Sequence, residues 1–176
     1  WLAVGDPQLP PTAFNTHLRC GDALIGAFSA PAATTALLDA WCAQWFWPDD
    51  ATAPLPHDPA RGPLSPAAQT VVRDLATRHR FFHWGQAFPE VIHGPRAGFD
   101  AVLGNPPWDI AKPRHTAPDP AAHHHTRAWA HFVRHAGDTN RAAPRPFRHQ
   151  GRGDLNLYKL FVELSYTLLG DGGQLG

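Results

Sequence analysis

The sequence predicts an α/β domain with a parallel sheet, and three observations predict it. The short apolar run Ala101 to Leu103, closed by Gly104, reads as a buried strand. Leu155 to Leu169 carries Leu157, Leu160, Phe161, Leu164 and Leu168 on one wide apolar face, with Asp154 placed to cap a helix. Gly170 to Gly173 then turns the chain back toward another strand. A strand, a helix and a strand in that order favour parallel pairing.

The remaining elements follow in chain order. Trp1 to Pro11 is a proline-rich lead-in. Thr16 to Cys20 reads as a short strand closed by Gly21-Asp22, and Ala23 to Phe28 as an apolar turn or brief helix. Ala32 to Trp47 has helical periodicity, with Leu37, Leu38, Trp41 and Trp45 at steps of three and four, until Pro48 stops it. Residues 48–64 form a proline-rich connection. Ser65 is an N-cap with Pro66 at the first helical position, opening a helix to about Arg80 along Val71, Val72 and Leu75. Two short aromatic segments follow, Phe81 to Trp84 and Phe88 to Ile92. Residues 109–121 are a second proline-rich loop, Ala122 to Ala136 a helix with Trp129, Phe132 and Val133 on one side, and 137–153 a basic loop with Arg141, Arg145, Arg148, His149 and Arg152.

The bulk numbers fit one domain of 176 residues with 43% hydrophobic content, enough for a packed core. Fifteen basic and fifteen acidic residues cancel, so the total charge neither announces nor excludes a nucleic-acid partner, since a local basic face can sit inside a neutral sum. Cys20 and Cys42 form no metal pattern and no disulfide framework, which points to a reducing, cytoplasmic compartment. Every long apolar stretch is broken by Pro, Asp or Gln, so no membrane span is expected. The chain starts at Trp1, contains no Met and stops just after Gly172-Gly173-Gln174-Leu175, and is expected to be a piece of a longer polypeptide.

The chemistry concentrates in Phe99 to Trp108, where the strand runs into Asn105-Pro106-Pro107-Trp108. In open α/β sheets, ligands bind beyond the carboxyl ends of the strands. A base amine has two hydrogens, and the side-chain oxygen of Asn105 with the carbonyl of Pro106 can accept both. Proline fixes φ near −65° and removes an amide donor, so the loop presents carbonyls in a set direction. Trp108 offers a flat face on which a base can stack, worth ~1–3 kcal/mol. Reaching such a pocket from duplex DNA requires base flipping.

Phe99-Asp100-x-Val-x-Gly-Asn-Pro-Pro-Trp resembles the catalytic motif of N6-adenine-specific DNA methyltransferases, and is most similar to the large bacterial enzymes of restriction-modification and phage-defence systems, type IIG fusions included. Phe82-His83-Trp84 with Phe88-Pro89-Glu90-Val91 resembles the segment before that motif. Gly151-Arg-Gly-Asp154-Leu-Asn156-Leu-Tyr158-x-Leu160-Phe161 and the closing Gly-Gly-x-Leu-Gly resemble the segments after it. His17-Leu-Arg-Cys-Gly21-Asp22-Ala-Leu24-Ile-Gly26 resembles the strand-end turn that meets the cofactor. The family's glycine-rich cofactor loop has no counterpart here and is expected before Trp1, with the target-recognition region after Gly176.

The resemblance implies a Rossmann-like class I methyltransferase fold, incomplete in its cofactor-loop part. It implies S-adenosyl-L-methionine as cofactor, with DNA and restriction or defence subunits as partners. In that scheme Asn105 and Pro106 accept hydrogen bonds from the target amine, and Pro107 stiffens the tip. Trp108 stacks on the flipped adenine, Asp22 contacts the cofactor's adenine amine, and Gly21 lets the backbone approach it. Catalysis then consists mostly of positioning the amine in line with the sulfonium methyl.

Plainer readings stand beside these. Asn105 to Trp108 also reads as a proline-stiffened loop with an incidental Trp, and Asp22 as the Asp of a tight turn. The basic run reads as a solvated connection as well as a phosphate-contacting loop. Asp154 is read as a cap rather than a catalytic acid, while Asn156 and Tyr158 are left open as residues facing the cleft. Adjacent residues point about 100° apart on a helix, so His123-His124-His125 is not read as a metal site. Trp41, Trp45, Phe46 and Trp47 are read as core or interface rather than as a base-stacking platform. Three rival functions stay open: a fused restriction endonuclease-methylase, an inactive copy that only binds nucleic acid, and methylation of RNA or protein glutamine.

Overall fold

The computed structural model describes residues 17–28, 33–51, 53–55, 62–110, 120–135, 147–150 and 154–176, with the side chains of 120–125 and 135 set aside. Thr16, Arg141, Arg145, Arg152 and the side chains of His123 to His125 lie outside the described residues.

Helix α1, Thr35–Ala43, is shorter than its periodicity. Thr34 caps it by accepting from the Leu37 N–H. Beyond Ala43 the chain tightens into three-residue steps, Trp45 N–H to the Cys42 carbonyl and Phe46 N–H to Ala43, before Pro48 is reached. Helix α2, Pro66–His79, matches its sequence signals: Ser65 accepts from the Ala68 N–H, Pro66 opens the first turn, and Arg80 closes it at φ 50°. The aromatic segments become two single turns, α3 (Trp84–Ala87) and α4 (Pro89–Ile92).

Strand β1 is Phe99–Val102, and its burial corrects the expectation. Asp100 and Ala101 are exposed, and Leu103, just beyond the strand, is 88% exposed. The reason is coverage: among the described residues β1 has one strand partner, and aromatic rings and α6 shield only part of it. Helix α5 is Pro120–His135. Helix α6, Leu157–Leu168, starts two residues late, with Asn156 at the N-cap in place of the expected Asp154. The first free N–H, on Leu157, is taken by the Asp109 carbonyl at 2.9 Å, so no capping side chain is needed there.

Strand β2, Leu169–Leu175, leaves α6 directly, and the expected turn at Gly170 to Gly173 is part of the strand. It pairs parallel to β1 with an irregular register, Phe99 opposite Leu169 but Ala101 opposite Gln174. The surplus residues bulge at the glycines, where Gly172 has φ +78°, and a Cβ on Gly98 (φ +127°) would strike the Gly170 backbone. The expected strand at Thr16 to Cys20 is also corrected: His17 to Cys20 joins no ladder among the described residues. Only Asp22 makes a bridge, to Phe81. Arg19 is held by its side chain, with Nε on the Ala87 carbonyl and the guanidinium over Phe88. The described residues are thus a mixed helix and strand assembly with a two-stranded parallel sheet; a wider Rossmann-like sheet is not among them.

One apolar cluster joins the elements. Ile25, Phe132, Cys42 and Leu160 are fully buried in it, and Leu164 and Leu168 extend α6 into it. Trp41, Trp45 and Phe46 ring Phe132, in keeping with their reading as core. Burying one such large apolar side chain is worth about 1.5–3 kcal/mol.

Candidate active site

The tip after β1 is fixed at both ends. At its near end the parallel ladder continues past the strand, with Gly176 N–H on the Val102 carbonyl and Gly104 N–H on the Gly176 carbonyl, both at 3.1 Å. At its far end Asp109 and Ile110 dock on the start of α6, through the Leu157 N–H and an antiparallel bridge from Ile110 to Asn156. Between these anchors Asn105, Pro107 and Trp108 are exposed and Pro106 is half-buried. The Asn105 amide has no hydrogen-bond partner among the described residues, so its oxygen is available to a ligand. Trp108 is 79% exposed, and its ring stacks on Tyr158 with centroids 5.2 Å apart and planes 24° apart.

Gly21 and Asp22 lie on a neighbouring segment. Asp22 N–H donates to the Arg80 carbonyl at 2.8 Å, and its Oδ1 accepts from the Leu24 N–H at 3.0 Å. That is the geometry of an Asx turn, so the carboxylate has a structural duty whatever else it does. Gly21 packs against Phe82, whose ring carbon would lie 2.5 Å from an added Cβ. A groove of about 420 Å³ runs between this segment and β1, lined by Gly21, Phe82, Trp84, Phe88, Phe99 and Leu103 among others. The fold therefore brings Gly21 and the carboxyl end of β1 to one groove, with Asn105 two residues beyond its rim. Neither Asp22 nor the four tip residues line it.

Behind the groove stands a linkage that the sequence reading did not isolate. His83 is buried; its Nδ1 accepts from the Ala27 N–H, and its Nε2 faces Asp39 Oδ1, each at 3.0 Å. Accepting at Nδ1 leaves the proton on Nε2, which donates to Asp39. A lone His in an aromatic run carries no sequence signal for this role. The two contacts beside the tip, Asp109 with α6 and Trp108 with Tyr158, were also missed; the only cue was Tyr158 one turn into the helix. Among the described residues no group of three or more His, Cys, Asp or Glu is placed to hold a metal.

Residues 65–176 match the Eco57I restriction-modification methylase family, well over half of the chain. The chain belongs to that family. The matched span of this methylase holds β1, the Asn105 to Trp108 tip, α6 and β2, while Gly21 and Asp22 fall before it. Membership makes the chain a DNA methyltransferase of the restriction-modification type. No curated protein and no solved structure matches it. No helix among the described residues is long and apolar enough to cross a membrane.

Proposed function

We propose that this chain holds the target base in a restriction-modification or phage-defence methyltransferase that transfers a methyl group from S-adenosyl-L-methionine to the N6 amine of adenine in DNA. The observation that carries the reading is the exposed, uncommitted Asn105 amide at the carboxyl end of β1, beside an indole with one open face.

The groove fits the purine end of such a cofactor in lining and size. Its walls are mostly aromatic and aliphatic, and the missing side chain of Gly21 lets the Phe82 ring pack close against the backbone in one of them. Gly21 and the aromatic wall would hold the nucleoside, with Asp22 beside it, and the bound cofactor supplies a sulfonium methyl group. The chain's own part is to present the amine. Asn105 Oδ1 and the Pro106 carbonyl accept its two hydrogens, which frees the nitrogen lone pair from the ring. Pro107 keeps the loop from collapsing onto its own donors. Trp108 stacks on the base, offsetting part of the few kcal/mol that unstacking costs.

The test is tritiated-methyl transfer to unmethylated plasmid DNA by the intact protein, with the product nucleosides separated by mass spectrometry. N6-methyladenine is the expected product, and Asn105→Ala is expected to lower kcat roughly 10- to 100-fold through the loss of one strong hydrogen bond. A methylcytosine product, or wild-type turnover by Asn105→Ala, overturns the reading.

A further inference from the structure

We infer that Tyr158 is a positioning residue: it holds the plane of the Trp108 indole so that the opposite face is ready to receive the base. The inference rests on the reading of Trp108 given above and adds a residue and a role to it.

An indole that is 79% exposed has little to hold it in one rotamer. Trp108 nevertheless lies on Tyr158 in an offset stack, at 5.2 Å and 24°. The backbone explains why. The residue after Trp108 gives its carbonyl to the N–H of the residue before Tyr158, and Ile110 bridges Asn156. The two rings therefore project from strands of chain already tied together, and their stack is set by the main chain. Only one face of the indole is covered, so a base on the other face would complete a pile of three rings. Tyr158 would lie under that pile without touching the base. It is half-buried, and its hydroxyl has no hydrogen-bond partner among the described residues, so the ring face is what acts.

Ordering a side chain before binding removes an entropy cost from the binding step. Losing the Tyr158 ring should therefore raise KM for DNA about 3- to 10-fold and leave kcat nearly unchanged. The experiment is a double-substitution cycle on the intact protein with unmethylated plasmid DNA, using Tyr158→Ala, Tyr158→Phe, Trp108→Ala and the Trp108→Ala, Tyr158→Ala pair. The expected result is a KM increase in Tyr158→Ala, recovery in Tyr158→Phe, and no added loss from Tyr158→Ala once Trp108 is gone. Equal losses from Tyr158→Ala with and without Trp108, or no recovery by Phe, overturn the proposal.

A second readout is independent of methyl transfer. Fluorotryptophan is incorporated, and the Trp108 resonance is assigned by Trp108→Phe in DNA-free protein. Tyr158→Ala should move that resonance toward the position of a free indole, and Tyr158→Phe should not. An unmoved resonance overturns the role of Tyr158. A moved resonance in a protein that methylates no DNA overturns the functional reading and leaves the stack standing.

Discussion

The two thiols show how far a single residue can be read. Both were expected free, and they are, but only the fold separates them: Cys20 is exposed and Cys42 is fully buried. Burial, and then the charge of Asp39, pushes the Cys42 thiol well above its ordinary range. The proton is thus held more tightly in the folded chain than in the unfolded one. The stability that this contributes is complete below about pH 8.5, where the unfolded thiol titrates, and is lost as pH rises toward the folded value. Native protein should react with one equivalent of a thiol reagent at pH 8 and with two in urea; rapid labelling of both in native protein would contradict the burial. Asn105 and Trp108 were legible for a similar local reason. An amide and an indole around two prolines announce a presenting tip, since proline dictates backbone direction without help from the fold. Tyr158 was not legible, because a Tyr in a helix gives no sign of which ring will lie on it.

Elements were read well where their signals are local and less well where a distant group intervenes. Helix α2 carries its own start signals in Ser65 and Pro66, and the structure uses both. Ser65→Ala should lower stability by about 1 kcal/mol, seen as a drop of about 2–4 °C in Tm. Helix α6 shows the opposite case. Asp154 has the chemistry of a cap, yet the helix begins at Leu157 because the Asp109 carbonyl reaches its first N–H. Glu163, on the same helix, accepts from the backbone N–H groups of Arg148 and His149 and from Gln150, which pins the described end of the basic loop. Strand β1 falls within two residues of its expected bounds, but it is less buried than its apolar run implies. An apolar run reports what a strand can bury, and only its neighbours decide what it does bury.

At the scale of the molecule, the segment from Asp22 to Phe28 is sewn to the segment from Arg80 to Trp84. Phe82 N–H donates to the Ile25 carbonyl at 2.8 Å and Trp84 N–H to Ala27 at 3.1 Å, with His83 accepting from Ala27 between them. The seam closes on Gly26, where a Cβ would overlap the Phe82 carbonyl. Gly26→Ala should cost about 3 kcal/mol and lower Tm by about 6–12 °C. A melting curve like that of the unsubstituted protein would show that the seam yields easily. The same seam places Gly21 across the groove from β1, so damage here should reach the shape of that groove as well as stability.

The sequence by itself determined α2, α5 and the body of α6, the core aromatics, the exposed proline-stiffened tip and, through an ordered set of short motifs, a kinship with restriction-modification methylases that the family match bears out. Each of these depends on contacts a few residues apart, or on residue types that act alone. The tertiary structure decided the rest. It made His17 to Arg19, within the expected strand Thr16 to Cys20, part of a groove wall and moved the start of α6. It also set Tyr158 under Trp108. All three depend on groups from distant parts of the chain meeting in space, and hydrophobic periodicity carries no record of such meetings. The Phe99 to Trp108 stretch was thus readable in kind from its own residues, while its anchoring and the orientation of its indole came only from what α6 and β2 bring to it.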